Sequence, residues 1–212
     1  MPTVAHPLTF CVLNEKWNKY VPAALIIVFL ISRIPGLMPL NFSMAYGLAF
    51  CAGAFPKLLR WWWLALAVLT SDVLLNHYWG YFTIYDYQML NYAAYAMIYG
   101  IGRLFRKRRA MWQMVGGGLL GAIVFYLVTN TAAWMQNPFY AKNLMGWIQA
   151  LTTGETGWPQ TWMFFRNTLL SGGLFSGLIA AALRSIEPAE PEPEEAEEAE
   201  EAGEGEEEKA KA

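Results

Sequence analysis

The segment from Arg60 to Asn76, RWWWLALAVLTSDVLLN, constrains the fold of this chain more than any other. It begins with a cation and three tryptophans, continues through an apolar stretch and contains one carboxylate, Asp72. This order is typical of a membrane helix with a basic cytoplasmic end, an aromatic belt and a hydrocarbon-embedded centre. Because an ionisable side chain inside a membrane span is costly, Asp72 predicts a functional site and needs a partner elsewhere in the chain.

The charge of the chain is divided between a basic body and an acidic tail. Residues 187–212 contain 13 acidic and 2 basic residues, whereas residues 1–186 contain 4 acidic and 13 basic residues. Only 15% of all residues are charged and 56% are hydrophobic, against roughly 25% charged in a soluble domain. We therefore predict an all-α integral membrane domain over residues 20–184, followed by a disordered acidic tail over residues 185–212.

Six apolar segments predict six transmembrane helices, preceded by a cytoplasmic N-terminal segment at residues 1–19. One of the six is short for a span, and its small residues Ala45, Ala49 and Gly53 predict either close packing inside the bundle or a partner interface. A short interfacial helix is expected around residues 144–151. The predicted spans are residues 20–32, 42–55, 61–75, 89–104, 113–131 and 159–183.

The distribution of basic residues predicts the orientation of these spans. Five basic residues lie between Arg103 and Arg109, and we interpret them as a cytoplasmic topology signal rather than a nucleic-acid-binding surface. Alternation of six spans then places both termini in the cytoplasm, with ten basic residues inside and three outside. The three on the outer side are Arg33, Lys142 and Arg166.

With this orientation, polar residues from separate helices fall in one layer near the outer side. In hydrocarbon such groups must face one another or water, so they either bind a solute or lock the helices together. Asp72 is expected to pair with Arg166 through two parallel hydrogen bonds, with Arg33 as the other candidate. Trp134 belongs to aromatic outer loops that suit an interfacial belt or a lid. The candidate substrate-binding residues are Arg33, Asn41, Asp72, Asn91, Tyr92, Asn130, Trp134, Arg166 and Asn167.

Other chemistry is weakly represented. The glycines at 116–118 lie in an apolar span and have no phosphate-loop sequence after them. The two histidines do not suggest a metal site, and the two cysteines do not suggest a disulfide framework. We therefore expect no enzyme activity, no catalytic residues, no metal and no cofactor.

Several short motifs carry a family resemblance. They are Arg33-x-Pro35, the NFS at residues 41–43, Ser71-Asp72, Thr129-Asn130 followed by Trp134, and residues 164–169 around Asn167. Together they resemble a family of small bacterial membrane proteins of unknown function. That family is grouped with the substrate-binding S components of energy-coupling factor (ECF) vitamin transporters, and the likeness covers about residues 20–184.

The resemblance implies an S-component-like bundle of six transmembrane helices in the bacterial cytoplasmic membrane, with an outward-facing pocket that captures a vitamin-like solute. It also implies a transmembrane coupling protein and cytoplasmic ATPases as partners. Docking to them would use small residues on the early helices, for which Ala45, Ala49 and Gly53 are the candidates. The alternative is a non-transporting structural or assembly membrane protein whose polar residues only lock helices.

Overall fold

The fold is all-helical in the part of the chain that the computed structural model describes, residues 20–80, 86–108 and 110–187. Two predictions, the cytoplasmic segment at residues 1–19 and the disordered tail at residues 185–212 apart from its first three residues, lie outside these residues. Within the described residues there are seven α-helices and no strand. They are α1 (Tyr20–Ser32), α2 (Ala45–Ala54), α3 (Trp61–Tyr78), α4 (Asp86–Leu104), α5 (Met111–Gln136), α6 (Leu144–Leu151) and α7 (Thr161–Arg184).

Every predicted apolar segment forms a helix, and α1 and α6 have the predicted bounds. The helix α5 continues five residues beyond its predicted end at Thr131. The polar residues near that point do not end the helix, because their side chains form hydrogen bonds with the preceding turn. Thr129 Oγ1 donates to the Phe125 carbonyl at 2.8 Å, and Asn130 Nδ2 donates to the Tyr126 carbonyl at 2.9 Å. Asn130 therefore lies inside α5 rather than closing it.

Length and hydropathy identify one candidate membrane span among the described helices, where the sequence predicted six. That helix is α5, with 26 residues and a mean hydropathy of 1.6. The apolar helices α1 and α2 are only 13 and 10 residues long. In α3 the apolar run is interrupted by Asp72, Asn76 and His77, which lower its mean hydropathy.

The short helix α2 forms the centre of the bundle, with all ten of its residues buried. It packs against α3, α4, α5 and α7. A Cβ atom at Gly53 would lie 2.1 Å from the Tyr99 carbonyl oxygen, and one at Gly102 would lie 2.1 Å from the Phe50 carbonyl oxygen. The backbones of α2 and α4 therefore touch where these glycines face each other.

This burial decides between the two interpretations of the small-residue patch on α2. Ala45 and Ala49 are buried, as is Gly53. Close packing inside the bundle is therefore confirmed. The expectation that this patch docks a partner protein is wrong, because neighbouring helices of the same chain already cover it.

A second backbone contact joins α5 to α7. A Cβ atom at Gly118 would lie 2.5 Å from the Gly172 carbonyl oxygen, and one at Gly172 would lie 3.0 Å from the Gly118 carbonyl oxygen. By contrast, α1 packs mainly against α3 and has only a small contact with α7, while α3 packs against both α1 and α2 at the side of the bundle. The molecule thus has a tight core of α2, α4, α5 and α7 with a more loosely attached α1–α3 pair.

Candidate functional site

A polar cleft of about 400 Å³ opens beside the connection between α1 and α2. One wall consists of residues 32–43 of that connection, apart from Leu37, and the opposite wall comes from α4 and α5. Four of the predicted site residues line this cleft: Arg33, Asn41, Asn91 and Asn130. The structure therefore brings three amides and one guanidinium from separate elements to a single cavity.

Three aromatic rings that the sequence analysis did not single out form the floor of the cleft. They are Tyr46 from α2, Tyr95 from α4 and Phe125 from α5. The Tyr46 and Phe125 ring centroids are 4.8 Å apart, and the Tyr95 and Phe125 rings stack at 5.3 Å. Such contacts hold the rings in fixed orientations, and all three side chains are buried. Hydropathy alone gave no signal for them, because a ring beneath a cleft and a ring in a core lie in equally apolar sequence.

Asp72 pairs with Arg33 across the α1–α3 contact. Arg33 Nη2 donates to Asp72 Oδ1 at 2.8 Å, and the carboxylate is buried while 26% of the arginine side chain is exposed. The predicted partner Arg166 is on α7, whereas α3 packs against α1 and α2. The expectation of an Asp72–Arg166 pair is therefore wrong, and the other candidate, Arg33, takes that place.

The ion pair leaves hydrogen-bonding capacity unused. Arg33 Nε is buried and has no hydrogen-bond partner among the described residues. The hydroxyl of Tyr92 is also buried, and it lies beside the Asp72 carboxylate without a hydrogen bond of normal geometry. A buried donor without a partner costs about 1–3 kcal/mol, so a ligand or water that accepts these hydrogen bonds would be stabilising.

The remaining predicted site residues hold loops at this end of the bundle rather than lining the cleft. Asn167 Nδ2 donates to the Leu40 carbonyl at 2.9 Å and so ties the α1–α2 connection to α7. Arg166 Nε donates to Asn167 Oδ1 at 3.4 Å and its guanidinium lies 5.8 Å from the Trp162 ring centroid. Trp134 Nε1 donates to the Ala141 carbonyl at 2.8 Å.

The start of α2 positions Tyr46 and closes the wall of the cleft. Asn41 adopts a left-handed backbone conformation with φ of 59°, which asparagine tolerates better than most residues. Its carbonyl accepts a hydrogen bond from the Tyr46 hydroxyl at 3.4 Å. Ser43 Oγ accepts a hydrogen bond from the amide of Ala45, the first residue of α2, at 3.2 Å.

The segment between α5 and α7 is folded over the same end of the bundle. Asn143 Oδ1 accepts from the Gly146 amide at 2.9 Å and caps α6, while Trp147 Nε1 donates to Thr131 Oγ1 at 2.9 Å. Burial, together with the nearby Glu155 carboxylate, raises the pKa of Tyr140. Its hydroxyl therefore stays neutral at and above physiological pH.

A second recess of about 400 Å³ begins where the polar cleft ends. Asn91 and Thr129 line both cavities, and Ala133, Gln136 and Asn137 continue the recess along α5. No group of three potential metal ligands occurs in the described residues. The site is thus a hydrogen-bonding cavity with aromatic and amide surfaces.

Fold and site together define an all-helical protein with a polar cleft at one end of an apolar bundle. Comparison with known families then places the chain: residues 14–193 match the model of a family of unknown function (DUF6580), and the chain belongs to that family. The expected membership in an uncharacterised family is thereby confirmed. Neither the curated proteins nor the solved structures contain a match to this chain.

Proposed function

We propose that this protein is a multi-span protein of the bacterial cytoplasmic membrane that captures a small solute from the outer side in its polar cleft. In this proposal it acts as the substrate-binding subunit of an ECF-type transporter for a vitamin, a cofactor or another small solute. The observation that carries the proposal is the cleft itself, in which amides and a guanidinium face an aromatic floor.

The exposed surface of the helices supports insertion of several helices into lipid. Large apolar side chains are exposed on α1, α3, α5 and α7, which is unfavourable in water over so wide an area. Placed in a bilayer, the same surface would contact hydrocarbon. These side chains include Ile27, Val28, Ile31, Leu66, Val73, Leu74, Leu120, Leu127, Leu170, Leu174 and Leu178.

Charge supports the orientation in this proposal. Lys57 and Arg60 lie between α2 and α3, and Arg103 and Arg106 lie at the end of α4. Both positions are at the end of the bundle opposite the cleft, since α3 begins there and Asp72 and Asn91 lie toward the other end. Basic residues favour the cytoplasmic side, so the cleft would face outward and both termini would be cytoplasmic.

The lining of the cleft suits a solute with a flat ring and polar edges. The charge of Arg33 is balanced by Asp72, and the other polar groups are neutral amides and hydroxyls. Such a surface recognises hydrogen-bonding edges, while the rings below it contribute apolar contact area. A volume of about 400 Å³ is within the usual range of roughly 300–1,000 Å³ for small-molecule sites.

Coupling to a transmembrane partner and to cytoplasmic ATPases remains part of the proposal. Because Ala45, Ala49 and Gly53 are buried, any such partner would dock on the exposed apolar faces of other helices.

The test is native mass spectrometry of the protein gently extracted from its own membrane, with thermal shifts across a panel of vitamins. We expect a co-purifying small molecule that is lost in the variants Asn91→Ala and Asn130→Ala. Gln113→Ala is the matched control, since this side chain accepts a hydrogen bond from the Ala110 amide at the opposite end of α5 and does not line the cleft. A mass without ligand, together with no thermal shift for any vitamin, would overturn the proposal.

A second candidate function is favoured by the ion pair between Arg33 and Asp72. This ion pair joins α1 to α3. In a structural or assembly membrane protein, such a pair would lock the two helices together without contacting a solute. In that case Asp72→Asn lowers the thermal stability of the protein, and it does not change the affinity for any solute that the wild-type protein binds.

A further inference from the structure

A second cavity lies in the side of the bundle, away from the polar cleft. This lateral groove, of about 380 Å³, runs between α3 and α4. Its lining is almost wholly apolar. The groove is open because α3 packs against α1 and α2 and leaves this face of α4 uncovered. The residues that matter here are Trp61, Leu64 and Val68 from α3 and Tyr95, Ala96 and Tyr99 from α4.

The groove has the length of one leaflet of a bilayer. It extends along α3 from Trp61 to Leu69, a separation of eight positions that corresponds to about 12 Å at 1.5 Å per residue. One leaflet contributes roughly 15 Å of hydrocarbon. In the proposed membrane placement, the groove would begin at the interface where Trp61 lies and end near mid-bilayer.

Two cations flank the mouth of the groove at that interface. Arg60 directly precedes Trp61, and Arg103 lies in the last turn of α4. Arg103 Nη1 donates to the Tyr99 hydroxyl at 3.4 Å, so it is held beside a ring that lines the groove. Both arginines are exposed, and neither forms an ion pair within the described part of the chain.

We propose that the lateral groove holds one acyl chain of an anionic phospholipid from the cytoplasmic leaflet, with its phosphate between Arg60 and Arg103. This inference rests on the proposed insertion of several helices into the membrane. The apolar walls match a hydrocarbon chain, and the paired cations match an anionic head group. Trp61 lies at the depth where interfacial tryptophans are enriched.

The distribution of charge favours a lipid chain over a helix of another protein. The groove walls are apolar along about 12 Å, and Arg60 and Arg103 lie at the end that Trp61 marks. An acyl chain with an anionic head group has the same order, apolar along its length and charged at one end.

The test uses the full chain, purified in detergent and offered phosphatidylglycerol or phosphatidylcholine with identical acyl chains. Native mass spectrometry counts the lipids retained, and thermal unfolding gives the shift in Tm. We expect several-fold greater retention of phosphatidylglycerol and a higher Tm with it. The double variant Arg60→Gln/Arg103→Gln should lower that retention to the level of phosphatidylcholine.

Two further variants make the test specific. Arg106→Gln/Lys107→Gln removes two charges just beyond the end of α4, and it should keep the preference for phosphatidylglycerol. Ala96→Phe fills the groove from an exposed position that lines it, and it should reduce retention of both lipids.

Equal retention of the two lipids by the wild-type protein would overturn the inference. So would an equal loss in the Arg106→Gln/Lys107→Gln variant, or a second copy of the chain cross-linked into the groove. Failure of the proposed function gives a different result. The protein would then be absent from the membrane fraction, or it would bind lipid but no solute. An embedded protein that binds a solute but shows no lipid preference would contradict this inference alone.

Discussion

The tight core and the α1–α3 pair are held together by different kinds of contact. In the core, glycines bring backbones of α2 and α4 into direct contact, and α5 meets α7 in the same way. The α1–α3 pair has side-chain packing and the single Arg33–Asp72 ion pair. Backbone contacts tolerate almost no displacement, whereas side-chain contacts can rearrange. The polar cleft lies at the border between the two regions, so one of its walls is rigid and the other is adjustable.

The largest expected effect comes from filling a backbone contact in the core. Gly102→Ala places a Cβ atom 2.1 Å from the Phe50 carbonyl oxygen, so α2 and α4 must separate. We expect a loss of roughly 3 kcal/mol in the free energy of unfolding, measured by thermal unfolding in one detergent.

The matched control for this substitution is Gly100→Ala in the same helix. A Cβ atom at Gly100 would meet nothing within 4 Å, and alanine is favoured over glycine in a helix by about 0.5–1 kcal/mol. If both variants unfold at the same temperature, the distinction between a rigid core and an adjustable pair is wrong.

A smaller loss is expected from breaking the ion pair in the α1–α3 pair. Asp72→Asn removes the counter-charge of Arg33 and should lower the free energy of unfolding by about 1–3 kcal/mol. The loss stays within this range because Arg33 is partly exposed and water can solvate its charge. A double-mutant cycle with Arg33→Gln measures the coupling between the two side chains. Additive effects would show that the contact contributes nothing as a pair.

The hydrogen bond between α7 and the α1–α2 connection should contribute less to the free energy of unfolding than the ion pair does. Asn167→Ala removes the hydrogen bond to the Leu40 carbonyl, at a cost of about 1 kcal/mol. Hydrogen exchange should become faster in residues 33–44 and stay unchanged in α2. Arg166→Gln is the control, and equal acceleration in both variants would contradict a specific role for the Asn167 amide.

The smallest effect is expected at Tyr92. Its hydroxyl is buried beside Asp72 without a hydrogen bond of normal geometry, so Tyr92→Phe should change the free energy of unfolding by less than about 1 kcal/mol or raise it. A clear fall in Tm without solute would show that the hydroxyl has a partner in the protein.

The sequence was sufficient for the positions of the helices and for four polar residues of the cleft, because apolar runs and isolated polar residues are local signals. It was insufficient for the pairing of Asp72, which depends on α1 rather than α7 being the neighbour of α3. It also missed Tyr95 and Phe125, since apolar sequence does not distinguish a ring in a core from a ring beneath a cavity. Asn130 was placed at a helix end because its bond to the preceding turn is visible only in three dimensions.

The complete enclosure of α2 has a consequence for biogenesis. At 10 residues it is about 15 Å long, half of the roughly 30 Å of hydrocarbon that a span must cross. Its enclosing helices α4, α5 and α7 are all synthesised after it. If the chain enters a bilayer, α2 therefore has no stable position until translation is nearly finished. The assembly of this protein would then be completed by its last helix rather than built up one span at a time.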